Sequence, residues 1–174
     1  MDFKDLLKNI ISDVQVDLTQ EFDRNFERKA FFDERWKTSR HHNSRGSQML
    51  RTGRLRNSIN HTKSSSEIRW KSSLPYARIH NEGGDLIVTK KMKSFFWAMY
   101  YKSRGAVQKG GNKKRNEKLS GEALKWKALA LQKEGAIMKI EKRQFIGEHP
   151  ILKKRIDSIV KSNMKEFNRK LIKK

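Results

Sequence analysis

The sequence predicts an α+β fold: a small antiparallel sheet packed against long N- and C-terminal amphipathic helices. Apolar residues recur at helical spacing near both ends of the chain. Between them lie short runs of strand-like alternation, broken by Gly, Ser and Pro. The strands are few and short, so one small sheet with helices on one face is expected, with the end helices pairing across it. At 174 residues, one domain spanning 1–174 is expected, on a scale of about 150 residues per domain.

The first helix is placed at about 3–33, where Phe3, Leu6, Leu7, Ile10, Ile11, Val14, Leu18, Phe22 and Phe26 form one stripe. Residues 37–50, KTSRHHNSRGSQML, are polar and aperiodic and read as an exposed loop. A short helix is expected over 52–60, with Leu55 and Ile59 pointing inward. Ile68 and Trp70 alternate with Arg69 and Lys71, a strand pattern following a turn at Ser64–Ser66. Pro75 suits the first turn of a helix through YARIHNE, which Gly83 and Gly84 end. Leu86, Ile87 and Val88 read as a strand, and Lys90–Lys102 as a helix with a very apolar middle, SFFWAMYY. Residues 104–118 read as a Gly- and Lys-rich loop, 119–132 as a helix, and 136–142 as a strand. The last helix, 149–172, carries Leu152, Ile156, Ile159, Val160, Met164, Phe167 and Leu171 on one face, with Pro150 in its first turn.

Composition narrows the function. Lys and Arg number 41 against 19 Asp and Glu, a net charge of +22. The charge is uneven: residues 1–35 hold nine acids and six bases, leaving +25 on the remainder. Two readings fit. The basic body binds a polyanion while the acidic helix is solvated, or copies meet acidic face to basic face in a head-to-tail ring. There is no cysteine, which excludes disulfides, thiolate nucleophiles and cysteine-ligated zinc. No apolar run approaches the ~18–20 residues of a membrane span. The start, MDFKDLLKNI, lacks the basic and apolar regions of a secretory signal.

Catalytic and cofactor constellations are not found. His41 and His42 are adjacent and His61, His80 and His149 isolated, without His-Glu-x-x-His spacing. Ser58 and Ser72 lie in no Gly-x-Ser-x-Gly turn. The acids concentrate in the first helix, where a polar face explains them better than a Mg²⁺ site. Gly110-Gly111-Asn112-Lys113-Lys114-Arg115 lacks the Gly-Lys-Ser/Thr ending of a phosphate-binding loop. No enzyme activity, metal or cofactor is expected. Lys113, Lys114 and Arg115 remain candidates for sequence-independent contact with a DNA backbone. The block Phe95, Phe96, Trp97, Tyr100 and Tyr101 fits packing in a core or subunit interface better than base stacking.

Three segments together resemble the phage virion-morphogenesis, or tail-completion, family of Mu-like phages and related prophages. They are Thr52-Gly53-Arg54-Leu55-Arg56-Asn57-Ser58-Ile59, Tyr76-Ala77-Arg78-Ile79-His80-Asn81-Glu82-Gly83-Gly84 and Arg143-Gln144-Phe145-Ile146-Gly147. The stretch Val88–Tyr101 looks like a branch of the same family, and the resemblance spans roughly 50 to 170. Gln144 stands where the family shows proline, and 104–134 looks like a basic insertion.

The resemblance implies a structural protein of the phage neck, without cofactor or catalytic residue. It implies a ring, a hexamer, at the head-proximal end of the tail, acting as tail terminator or head–tail connector. The implied partners are other copies and other neck, tail-tube or head-completion proteins, with packaged DNA reached through basic surfaces and no membrane. The implied location is the virion, after assembly in the host cytoplasm. Within the motifs, Gly53 permits a tight turn, Leu55 anchors a helix, and Arg54 and Arg56 are expected to stay free for a partner's acids. Gly83 and Gly84 supply positive φ. Arg143 is expected to pair with a carboxylate while Phe145 fills the core. Ser58, Tyr76, His80 and Gly147 complete the set of motif and interface candidates. The competing reading is a basic protein that binds nucleic acid without sequence preference, which steep loss of affinity with salt would mark.

Overall fold

The computed structural model describes residues 2–38, 49–107 and 109–172 and has the expected α+β class, with long helices at both ends. The loop expected over 37–50, with His41 and His42, falls mostly outside the described residues. The chain forms two compact units. The first comprises Met1–Lys37, Gln48–Glu82 and Lys142–Lys174, and the second Thr38–Ser47 and Gly83–Glu141.

In the first unit, α1 (Phe3–Arg28) starts at a reciprocal cap. The Asp5 N–H donates to Asp2 Oδ1 (2.8 Å) and the Asp2 N–H to Asp5 Oδ2 (3.1 Å). Its apolar stripe buries Leu6, Val14, Leu18, Phe22 and Phe26. The helix ends at Arg28, short of the expected end, because Lys29 turns left-handed (φ 54°). The chain then folds back as β1 (Ala30–Phe31) against β2 (Glu34–Arg35). Phe32 at the turn also has positive φ (55°), which costs a non-glycine residue roughly 1–2 kcal/mol. Burial of Phe31 and Phe32 against Val14, Leu18 and Phe22 offsets that cost.

Helix α6 (Pro150–Ile172) runs antiparallel along α1. Arg155 donates to both Asp17 oxygens (2.8 and 2.5 Å), and Asn163 donates to Asp13 (2.8 Å). Leu152, Ile156 and Ile159 pack on the α1 cluster. His149 caps this helix: its Nδ1 accepts from the Ile151 N–H (3.2 Å). Its Nε2 lies 3.1 Å from Asp33, and its ring stacks on Phe32 (4.8 Å).

Helix α2 spans only Arg54–Asn57, shorter than expected, because Ile59 already pairs as the first residue of β3. Strands β3 (Ile59–Lys63) and β4 (Ile68–Ser72) form an antiparallel hairpin with Ile59 opposite Ser72 and His61 opposite Trp70. The Trp70 indole N–H donates to Thr19 Oγ1 (3.0 Å), and its ring meets the edge of Phe22 (5.3 Å). Helix α3 (Ala77–Glu82) follows, and Gly83 (φ 74°) and Gly84 (φ 137°) stop it as expected.

In the second unit, β5 (Gly84–Ile87) pairs antiparallel with β6 (Ile137–Ile140). Helices α4 (Lys90–Gly105) and α5 (Lys113–Ala130) form an antiparallel hairpin. Phe96 stacks on Trp126 (5.9 Å), and Phe95 meets the same ring edge-on. The aromatic block is therefore partly a packing surface. Residues 113–118, expected as loop, are helical because Asn112 Oδ1 caps α5 through the Arg115 N–H (3.1 Å). The described strands make three separate two-stranded ladders rather than the one sheet expected.

Candidate functional site: the junction of the motif segments

The motif segments of the first unit converge on Phe145. This ring is fully buried against Phe26 (5.2 Å), in a cluster with Met49, Leu55 and Ala77. Each of these apolar residues contributes about 1.5–3 kcal/mol where its side chain is large and fully enclosed.

Side chains clasp the backbone of the 143–146 segment. The Asn25 amide donates from Nδ2 to the Phe145 carbonyl (3.2 Å) and accepts at Oδ1 from the Phe32 N–H (3.0 Å). Asn81 Oδ1 accepts from the N–H groups of Phe145 (2.9 Å) and Ile146 (3.1 Å). The Trp36 indole donates to the Gln144 carbonyl (2.7 Å). The Arg143 N–H donates to the His80 carbonyl (2.8 Å). An irregular segment can be buried here because its polar groups are satisfied.

Arg143 corrects an expectation. Its guanidinium, 5% exposed, donates from Nε (3.2 Å) and Nη2 (3.0 Å) to the Lys37 carbonyl, not to a carboxylate. Nearby, His80 Nδ1 is buried without a hydrogen-bond partner among the described residues. Burial, and then the Arg143 charge, hold its pKa below the ordinary value. Tyr76 is exposed and meets the His80 ring edge-on (5.9 Å).

Arg56 is a second correction. It is not free for a partner: it donates to both oxygens of Asp23 and to Glu27 (2.7 Å) of α1. These bonds, Asp23 first, raise its pKa. Arg54, on the same short helix, is exposed and has no ion pair among the described residues. Gly53 enters α2 with φ 70°. Leu55 is buried, and Ser58 is tied to the Leu55 carbonyl (2.7 Å) and to Ser72 Oγ (2.6 Å). Gly147 has φ 133°, and a Cβ there would lie 2.6 Å from Gln144 Nε2.

The acids of α1 are not simply solvated. Glu21, its side chain 4% exposed, is bound by Arg24 and Arg28 (both 2.7 Å) and lies 3.4 Å from Arg155. Burial pushes its pKa up, but Arg28, Arg24 and Arg155 together bring it below the ordinary value. Asn25, Trp36 and Asn81 escaped the sequence reading as site residues. Asn25 carried a signal, since it lies on the same helical face as Leu18, Phe22 and Phe26.

Apolar surface remains outside the junction. A groove of about 630 Å³ runs along the first unit, lined by Ile10, Val14, Ile68, Trp70, Leu152 and Ile156. Phe3, Leu7, Met164, Leu171 and Ile172 are exposed near the helix ends. In the second unit, Lys113, Lys114 and Arg115 stand exposed on the first turn of α5. That unit's sequence carries fourteen bases against five acids over 83–141. Among the described residues no group of three or more His, Asp and Glu side chains is placed to hold a metal ion, and no helix is long and apolar enough to cross a membrane.

Comparison with curated proteins and with solved structures returns no significant match. Residues 27–165 match the phage virion morphogenesis family. The matched span runs from the end of α1 through most of α6 and takes in the junction except Asn25 and Phe26, which lie just before it. The chain belongs to the phage virion morphogenesis family, a structural family associated with the virion.

Proposed function

We propose that this chain is a neck or tail-completion protein that works as one domain and forms a ring, of six copies, at the head-proximal end of the tail. The ring joins the tail to the head and acts without catalysis. The observation that carries the reading is a contrast within the molecule. The motif residues Leu55, Ser58, Arg56, Arg143 and Phe145 are consumed by internal contacts, whereas large apolar side chains stand exposed in both units. Motif residues of this kind preserve a shape rather than a reaction, and exposed apolar surface serves contact with other subunits. Of the motif candidates, Arg54 and Tyr76 are exposed and left to meet a partner.

Infection by a phage lacking this protein tests the reading. The expected products are filled heads and separate tails, seen by electron microscopy, with joining restored by the protein supplied in trans. Normal joined particles in its absence would contradict the role.

A second reading has its own observation: a net charge of +22 with Lys113, Lys114 and Arg115 exposed. Binding of DNA backbone through these residues would add to the ring role or replace it. A salt titration of duplex DNA binding separates the two. Replacing these bases should lower the slope of log affinity against log salt by up to about 0.9 for each phosphate they neutralise.

A further inference from the structure

The ladder of β5 and β6 is open on both outer edges among the described residues. Its register places Asp85 opposite Lys139 and Ile87 opposite Ile137. The Val88 N–H donates to the Ala136 carbonyl (2.9 Å) in the same register. By the alternation of an antiparallel ladder, Leu86/Met138 and Gly84/Ile140 are then the inward-bonding pairs. The backbone N–H and C=O groups of Asp85, Ile87, Ile137 and Lys139 point away from the ladder. The same four residues carry its exposed side chains, with Ile87 at 61% and Ile137 at 65% exposure. Two β-branched side chains on open edges form a template for another strand.

We propose that these edges join copies of the chain head to tail, the β5 edge of one copy pairing antiparallel with the β6 edge of the next. This rests on the ring reading above and specifies its contact. The charge pattern selects the arrangement. A two-fold contact sets Asp85 against Asp85 or Ile87 of the other copy, or Lys139 against Lys139 or Ile137, so in neither case does a charge meet its opposite. The head-to-tail contact sets Asp85 against Lys139 of the next copy. Spacing selects the register. Asp85 and Ile87 are two residues apart, as are Ile137 and Lys139, so pairing Asp85 with Lys139 and Ile87 with Ile137 aligns all the outward backbone groups. Shifting by two residues would leave only one pair aligned. Repeated around an axis, the ladders become one continuous sheet without a free edge.

The absence of cysteine makes disulfide trapping clean. Ile87→Cys on an affinity-tagged chain and Ile137→Cys on an untagged chain are purified separately, mixed and oxidised. Partner Cα atoms across a sheet lie within the range of about 4.4–6.8 Å that a disulfide spans. The expected product is a mixed covalent dimer, with each variant alone staying a single chain on a denaturing gel. Adding Asp85→Lys to the tagged chain should lower the yield about fivefold, and Lys139→Asp on the untagged chain should restore it. Circular dichroism melts confirm that each variant is folded. Dimers formed by either variant alone would overturn the head-to-tail arrangement. No mixed dimer from a wild-type chain that is oligomeric by light scattering would overturn this contact and leave the ring standing. No mixed dimer from a chain that is also monomeric would overturn both.

Discussion

Asn25 and Phe145 lie 120 residues apart in sequence and are joined by a 3.2 Å hydrogen bond from the Asn25 side-chain amide to the Phe145 carbonyl. The other end of the same amide takes the Phe32 N–H. One fully buried side chain thus fixes both the left-handed turn that ends the first helix region and the segment that leads into the last helix.

Asn25→Ala should be among the most destabilising single changes in the chain. It leaves two buried backbone groups unpaired, for a loss of about 3 kcal/mol in urea unfolding. Asn25→Asp keeps the acceptor for Phe32 but sets a carboxylate against the Phe145 carbonyl, so it should not rescue. A midpoint unchanged by either substitution would show that the clasp does not hold the fold.

Stability should decline with acid in two windows. His80 has a folded pKa below its ordinary 6.5, so its contribution is complete above that pH and is lost as pH falls through the folded value. Glu21 has a folded pKa below its ordinary 4.5, so its contribution is lost at lower pH still. Melting temperature measured from pH 8 to pH 3 should fall first below about 6.5. In His80→Gln that first decline should flatten while the second persists. An identical profile in the variant would remove His80 from the account of acid sensitivity.

The neighbouring arginines should behave differently. Arg56→Ala breaks the pairs with Asp23 and Glu27, which are partly exposed, so the expected loss is about 0.5–1 kcal/mol and shrinks in high salt. Arg54→Ala should change stability by less than about 0.5 kcal/mol. If Arg54 meets a partner, Arg54→Glu should reduce joined particles while leaving the melt unchanged. Normal particle yield from Arg54→Glu would rule out that role.

Gly147→Ala should destabilise by about 1–2 kcal/mol through its positive φ alone. The added contact with the Gln144 side chain is the smaller part, because that amide can swing away. The double variant Gln144→Ala/Gly147→Ala should recover only a minority of the loss. Full recovery would mean that crowding, not backbone conformation, demands glycine here.

The end helices were legible because each presents an uninterrupted apolar stripe, and the β3–β4 hairpin because Ile68 and Trp70 alternate with charges. The stop at Lys29 was not legible. Nothing local forbids helix through Phe31 and Phe32, and the turn forms because Asn25 and the distant His149 ring hold Phe32 in place. The start of α5 was hidden by Gly110 and Gly111, which suggest a loop, while the cap at Asn112 decides for helix. Phe145 and Leu55 were read correctly as core. The ion pairs were not, because Asp23 and Arg56 meet only after the chain has returned to α1.

Molar mass by light scattering, at low and at high salt, tests the proposed ring most directly. Contacts made by apolar side chains and strand edges resist salt, whereas contacts between exposed charges weaken. A mass near six times 20.6 kDa at both salts is the expected result. A single-chain mass at both salts and at every concentration measured would contradict assembly through the chain's own surfaces.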